Sequence, residues 1–263
     1  MMVQDKVVIV SGIGPGLGQE LSTLAAREGA SAVVLAARTE AKLDVAEQEI
    51  AELGLGTQVL KVPTDISDPA QCQALAERTV EAFGRIDVLF NSAYDPGVFD
   101  PIEQAKMSDW QRCMDVNFFG TMHLTQACIP HMKAAGGGAI VMIATMVEHK
   151  PLATQAGYGS SKAALRSATK HLALELGQYG IRVNSVHMGW MWGPAVEGYF
   201  AWQAQDSGRP QEELIAEVTE NIPLGLIPDD GECAKAAMFF ASDYSSVVTG
   251  AGLDVNGGEF MPV

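Results

Sequence analysis

Positive charge is scarce in this chain: 17 lysines and arginines stand against 32 aspartates and glutamates, a formal net charge of −15 over 263 residues. Such a surface repels phosphate backbones and anionic lipid, which argues against nucleic-acid and membrane partners. Cysteine is scarce too. Cys72, Cys113, Cys128 and Cys233 are scattered, with no CxxC pair and no histidine close by. They read as small apolar core residues and not as a disulfide frame or a metal cage. Long apolar runs are missing, since none approaches the roughly 18 residues that span a bilayer. The chain opens on a strand pattern, Lys6 to Val10, where a secreted protein would carry a basic and apolar leader. Together these absences predict a soluble, cytoplasmic protein. Disorder is excluded by composition, because apolar residues make up 48% of the chain and charged residues only 19%.

What is present is a rhythm. Short β-branched runs at Lys6–Val10, Ser31–Ala37, Thr57–Val62, Ile86–Asn91, Ala139–Ala144, Ile181–His187 and Gly252–Val255 alternate with segments of helical period. The helical segments begin near Gly16, Thr39, Asp68, Ser108, Ala156 and Asp230. Strands apolar on both sides, joined by helices of about ten or more residues, indicate a parallel sheet covered on both faces. Right-handed crossovers then make it doubly wound. The expected architecture is α/β: one Rossmann-type domain over residues 1–263 with a seven-stranded parallel sheet. Residues 189–228 break the rhythm and form an insertion within it.

The first strand runs into Ser11-Gly12-Ile13-Gly14-Pro15-Gly16-Leu17-Gly18 and then a helix. Glycines at 12, 16 and 18 permit a tight backbone path and let main-chain N–H groups approach a pyrophosphate at the helix N-terminus. An ordinary glycine turn could look the same, but this one follows the first strand of a βαβ chain, where dinucleotides bind. The second strand ends in Ala36-Ala37-Arg38, with no carboxylate for a ribose 2′-hydroxyl. Arg38 can fork onto a 2′-phosphate, which favours NADP(H) and leaves NAD(H) open, since Arg38 could instead stack on adenine or face solvent. Pro15 precedes the second motif glycine, so the turn adds no further positive charge.

Tyr158-Gly159-Ser160-Ser161-Lys162 opens a helical segment. Positions i and i+4 share a helix face, so phenol and ammonium lie side by side. A neighbouring ammonium lowers a phenol from its usual pKa of about 10 toward a working base. YxxxK alone is a common accident. Its place just after the fifth strand puts it at the carboxyl-end crevice.

With these pieces in order, the chain resembles the classical short-chain dehydrogenase/reductase family over nearly its whole length. The resemblance rests on the GxxxGxG turn, Asp65, Asn91-Ser92-Ala93, Asn117, Tyr158 with Lys162, and Thr249-Gly250 with Asp254. It implies a hydride transfer between a nicotinamide and an alcohol or ketone, with Tyr158 as general acid/base. Lys162 would hold the nicotinamide ribose and lower the tyrosine pKa, and Asn117 would anchor a water leading to that lysine. Asp65 and Ile66 would meet the adenine, unless Asp65 is only a turn residue. Asn91 and Ala93 would lie along the riboses. Thr145 stands 13 positions before Tyr158, where the family usually has serine; it is either the hydroxyl donor to substrate oxygen or a buried threonine bonded to backbone. Met188-Gly189 replaces the usual Pro-Gly facing the carboxamide, and Tyr94 stands where a glycine is usual. The resemblance also implies a homotetramer packed through the Ser108–His131 and Ala156–Tyr179 helices, with Phe118, Phe119, Met122 and Leu165 compatible with that role.

Trp190, Met191, Trp192, Tyr199, Phe200 and Trp202 crowd one short stretch after Gly189, where a substrate-covering segment would sit. They are expected to line an apolar pocket for a bulky, cyclic or steroid-like alcohol or ketone, the alternative being that the cluster is packed core. The five histidines lie on different elements, with His149 expected at the surface, and no metal is called for because the nicotinamide carries the chemistry. Two other readings stay open: the same fold with C=C reductase, isomerase or dehydratase chemistry, and a non-catalytic dinucleotide sensor.

Overall fold

A computed structural model describes residues 1–262. Seven parallel strands form one sheet in the order β3-β2-β1-β4-β5-β6-β7. The strands are β1 (Val7–Ser11), β2 (Ala32–Ala37), β3 (Gln58–Pro63), β4 (Val88–Asn91), β5 (Gly138–Thr145), β6 (Ile181–Met188) and β7 (Gly252–Val255). Each lies within two residues of its sequence expectation. The period of two sends successive side chains to opposite faces. Val8, Val10, Val33, Leu35, Phe90, Val141 and Val186 pack under α1 (Leu17–Arg27), α2 (Glu40–Glu52) and α9 (Asp230–Ala241). Ile9, Val34, Leu89, Ile140, Met142 and Val183 pack under α3 (Pro69–Phe83), α5 (Thr121–Ala134) and α6 (Ala156–Leu176). Both faces are therefore buried, as the unbroken apolar strands require.

Strand order reverses between β1 and β4, because the chain runs out to β3 and returns to the other side of β1. Loops after these two strands part in opposite directions and leave a crevice at their carboxyl ends. All four cysteines are buried and free, with Cys72 and Cys233 pushed up to about 12, chiefly by burial.

Two segments depart from expectation. The helix expected from Ser108 is three pieces: α4 (Met107–Met114), a π-helical turn at Asp115–Gly120, and α5. The widened turn carries Asn117, whose carboxamide bonds the backbone of Asp95 outside the helix. Such turns inside helices are often found where a side chain has a task beyond the helix. The insertion after β6 forms two helices, α7 (Pro194–Ser207) and α8 (Gln211–Thr219). Among the described residues no helix is long and apolar enough to cross a membrane.

Candidate active site

The glycine-rich turn is built by close approach. A Cβ at Gly12 would lie 2.4 Å from the Ala93 backbone nitrogen, and one at Gly18 would lie 2.2 Å from the Gly12 carbonyl oxygen. Only glycine lets β1, the loop after β4 and the start of α1 meet this tightly, and Gly12 also needs its positive φ of 84°. Gly16 caps α1, and Leu17 opens the helix whose free N–H groups face the crevice. The crevice has a volume of about 470 Å³ and runs from Arg38 to Trp190.

At one end Arg38, Thr39, Asp65 and Ile66 form the wall. Asp65 serves its own turn as well, accepting hydrogen bonds from the Ser67 amide and hydroxyl at 3.0 and 2.7 Å. A second cation escaped the sequence reading. Lys42, from the first turn of α2, lines the same crevice as Arg38, with its Nζ 3.6 Å from where a Gly14 Cβ would sit. The glycine cradle and this pair of cations fit a phosphate-bearing dinucleotide.

At the other end stand Tyr158, Thr145 and Lys162, with Gly189 and with Met188, the neighbour of Thr145 on β6. The Tyr158 and Thr145 side chains stand together at this end of the crevice wall. Thr145 accepts from the Val147 amide at 3.3 Å and donates to the Met188 carbonyl at 3.4 Å, the buried, backbone-bonded state that the sequence offered as one of its two alternatives. Lys162 is 2% exposed and donates to the Ile143 carbonyl at 2.7 Å. Burial pushes its ammonium down to about 8. Burial likewise pushes the Tyr158 phenol well above its ordinary value, against a lowering from Thr145. The lowering expected from Lys162 does not offset this rise, and its ammonium is turned toward the Ile143 carbonyl.

Asn117 is fully buried, and its carboxamide is committed. It accepts from the Asp95 amide at 2.7 Å and donates to the Asp95 carbonyl and the Ser161 hydroxyl, each at 2.9 Å. Its side chain thus ties α6 to the loop after β4. Asn91 is outside the crevice wall: its amide donates to Thr125 at 3.0 Å and to the Met142 sulfur at 3.3 Å. Ser92, Ala93 and Tyr94 take its place along the wall.

The aromatic stretch divides. Trp190 and Met191 line the crevice, whereas Trp192, Tyr199, Phe200 and Trp202 do not. Phe200 stacks on Trp190 at 5.7 Å and on Trp192 at 6.3 Å, and packs with Leu214, Ile222 and Ile227 into a small core of its own. Two helices outside the main sheet need such a core, which is why the aromatics went there. His149 is half-buried and not a surface residue, stacked on Phe260 and 5.2 Å from His187. Tertiary structure brings Glu148, His149 and His187 within 4.8 Å of one another. His187 takes Glu148 at 2.7 Å, and Arg166 shares that carboxylate at 3.3 Å. The guanidinium already supplies positive charge there and opposes a metal ion.

A family model described as enoyl-(acyl carrier protein) reductase matches residues 12–259. Levodione reductase of Leifsonia aquatica is 29% identical over 97% of this chain and 94% of its own. Trans-4-hydroxycyclohexanecarboxylate dehydrogenase of Sinomonas cyclohexanicum is 33% identical over 98% of this chain and 93% of its own. The structure of L-sorbose reductase from Gluconobacter frateurii, complexed with NADPH and L-sorbose, superposes with a TM-score of 0.94 at 28% identity, covering 100% of this chain and 99% of that one. That of NAD+-bound xylitol dehydrogenase superposes at 0.89 with 29% identity over 97% and 99%. The chain belongs to the short-chain dehydrogenase/reductase family. It is an oxidoreductase that works with a nicotinamide dinucleotide on CH–OH and C=O groups.

Proposed function

We propose that this enzyme interconverts a secondary alcohol and a ketone on a bulky, apolar, cyclic substrate, with Tyr158 as the general acid/base. The observation that carries the proposal is that Tyr158 and Thr145 line the wall of the same crevice that begins at the glycine turn. A substrate oxygen between them meets two hydroxyls, one to position it and one to exchange its proton. When bound, the nicotinamide supplies or accepts the hydride at the carbinol carbon. The raised phenol is suited to giving a proton to a nascent alkoxide. Thr145 orients the oxygen, and Lys162, one turn along α6, serves the ribose and the proton path. Met146, Val147, Met188, Met191 and Trp190 make the wall apolar. The cyclohexane ring in the name of one relative agrees with that wall.

Arg38 and Lys42 favour NADP(H) over NAD(H). The α7–α8 segment covers the substrate through Trp190 and Met191, on what is otherwise one domain spanning residues 1–263. The working form is a cytoplasmic homotetramer whose partner is the small-molecule substrate. Leu165, fully buried under the sheet, drops out as a contact residue, while Phe119 stays exposed on the π-helical turn.

Tyr158→Phe tests the chemistry. Turnover, followed by the absorbance of reduced nicotinamide, should fall by about 10²–10⁴-fold or more with cofactor affinity kept. Retained turnover would remove Tyr158 from its role. The description carried by the matching family model keeps C=C reduction as the second reading. Product identity separates the two, since an alcohol retains its oxygen-bearing carbon as the changed site and a saturated C–C bond does not.

A further inference from the structure

Gly193 is a glycine for a reason its backbone does not supply. Its φ of −178° is extended, open to any residue. A side chain is excluded by Asp230, because a Cβ at position 193 would lie 1.8 Å from Asp230 Oδ2. The same oxygen lies 3.0 Å from where a Cβ on Gly16 would be, at the cap of α1. The carboxyl of the first residue of α9 is thus wedged between the phosphate-binding turn and the start of the covering segment. It forms part of the crevice wall and is 8% exposed.

The backbone holds it there. The Asp230 amide donates to the Trp192 carbonyl at 3.1 Å, and the Trp192 amide donates to the Pro228 carbonyl at 2.7 Å. The ionisable groups that act on it are carboxylates on every side: Asp229 just before it, Glu20 on α1 and Glu197 on α7. Tyr94, across the crevice, and Cys233, one turn along α9, are both pushed upward by the Asp230 charge in addition to burial. Burial first, and these carboxylates after it, push the Asp230 carboxyl up to about 6. No cation is among the groups acting on it.

A carboxylate at this position faces the place where the N–H groups of α1 would hold a pyrophosphate. Two anions so close, with no cation between them, repel strongly in a dry crevice. A protonated carboxyl is instead a hydrogen-bond donor. We propose that Asp230 is a proton-dependent contact for the dinucleotide pyrophosphate, so that cofactor binding takes up a proton and cofactor release gives it back. This rests on the dinucleotide reading of the crevice. Free, the carboxyl ionises near 6; with phosphate against it, it holds its proton to higher pH. Between those two values affinity falls as pH rises, by up to about tenfold per pH unit.

Asp230→Asn keeps the shape and a donor while removing the charge. NADPH is titrated into wild type and variant by tryptophan fluorescence across about pH 5.5–8.5, and by calorimetry in buffers of different ionisation enthalpy. The 2′-phosphate titrates alike in both proteins and cancels in the comparison. The expected result is equal affinity at the acid end, binding by Asp230→Asn about tenfold or more tighter at the alkaline end, and proton uptake in wild type that the variant lacks. Glu20→Gln should keep the uptake and move the onset of weakening to lower pH. Matching pH profiles and proton counts in wild type and Asp230→Asn, both folded, would overturn the role of Asp230 and leave the dinucleotide reading standing. If Asp230→Asn does not fold, Asp230→Ser reads the same loss of proton uptake. Wild type that binds neither NADPH nor NADH would bring down the dinucleotide reading, and this proposal with it.

Discussion

Arg38 and Lys42 illustrate how two side chains can share one task from different elements. Arg38 follows β2 and Lys42 rises from the first turn of α2, yet both reach the same end of the crevice. A 2′-phosphate between them would accept charge-assisted hydrogen bonds worth about 1.5–3 kcal/mol apiece. Arg38→Ala and Lys42→Ala should each weaken NADPH binding by about ten- to a hundredfold and leave NADH nearly unchanged. Equilibrium titration of both cofactors checks this; equal losses for NADPH and NADH would show that the pair holds something common to both. The sequence offered Arg38 by its place after a strand. Lys42 was hidden among ordinary surface lysines, because only folding shows which way a helix turns its first residues. Tyr158 and Lys162 were legible together, since i and i+4 is a local relation that helix geometry fixes. Their electrostatics were not. Burial depends on what packs over a site, and here it raises the phenol and pulls the ammonium down to about 8.

The segment between β6 and α9 behaves as an element with its own small core. Phe200, 1% exposed, sits at its centre among Trp190, Trp192 and Tyr199. Phe200→Ala should cost about 3–5 kcal/mol within that unit. The loss falls on α7 and α8, because Phe200 packs in that small cluster and not in either cluster on the sheet. Hydrogen exchange should show α7 and α8 losing protection while β1, β4 and β5 keep theirs. Uniform loss over the whole chain would mean that the segment and the sheet unfold as one. The sequence pattern placed Trp190 and Met191 at the pocket correctly but not Trp192, Tyr199, Phe200 and Trp202, for a physical reason. Proximity to the nicotinamide-facing glycine locates a segment, but which ring faces inward depends on how two helices pair, and that pairing has no local signature. The π-helical turn at Asp115–Gly120 escaped for a similar reason. Asn117 leaves the helical pattern to bond Asp95, a partner 22 residues away.

Across the whole molecule, charge and apolar exposure pull in opposite directions. The net charge of −15 keeps copies apart. Yet Leu174 on α6 is exposed, as are Phe119 on the π-helical turn, Met107 on α4 and Tyr179 beyond α6. Exposed apolar positions on adjacent elements are what an interface between copies needs. Light scattering after size exclusion should report about four chains per particle, and Leu174→Glu should reduce that number while the fold persists by circular dichroism. A monomeric wild type would remove the tetramer. Higher salt should favour assembly by screening the like charges.

The amino-acid sequence alone determined the parallel, doubly wound sheet, the glycine cradle and the Tyr158–Lys162 pair, because each is written in short periods and local spacings. Tertiary structure decided where Asn91, Asn117 and the aromatic rings spend their side chains. It also brought Lys42 into the same crevice as Arg38 and set Asp230 between Gly16 and Gly193. These relations join residues far apart in the chain, and only the packing of separate elements brings such residues face to face.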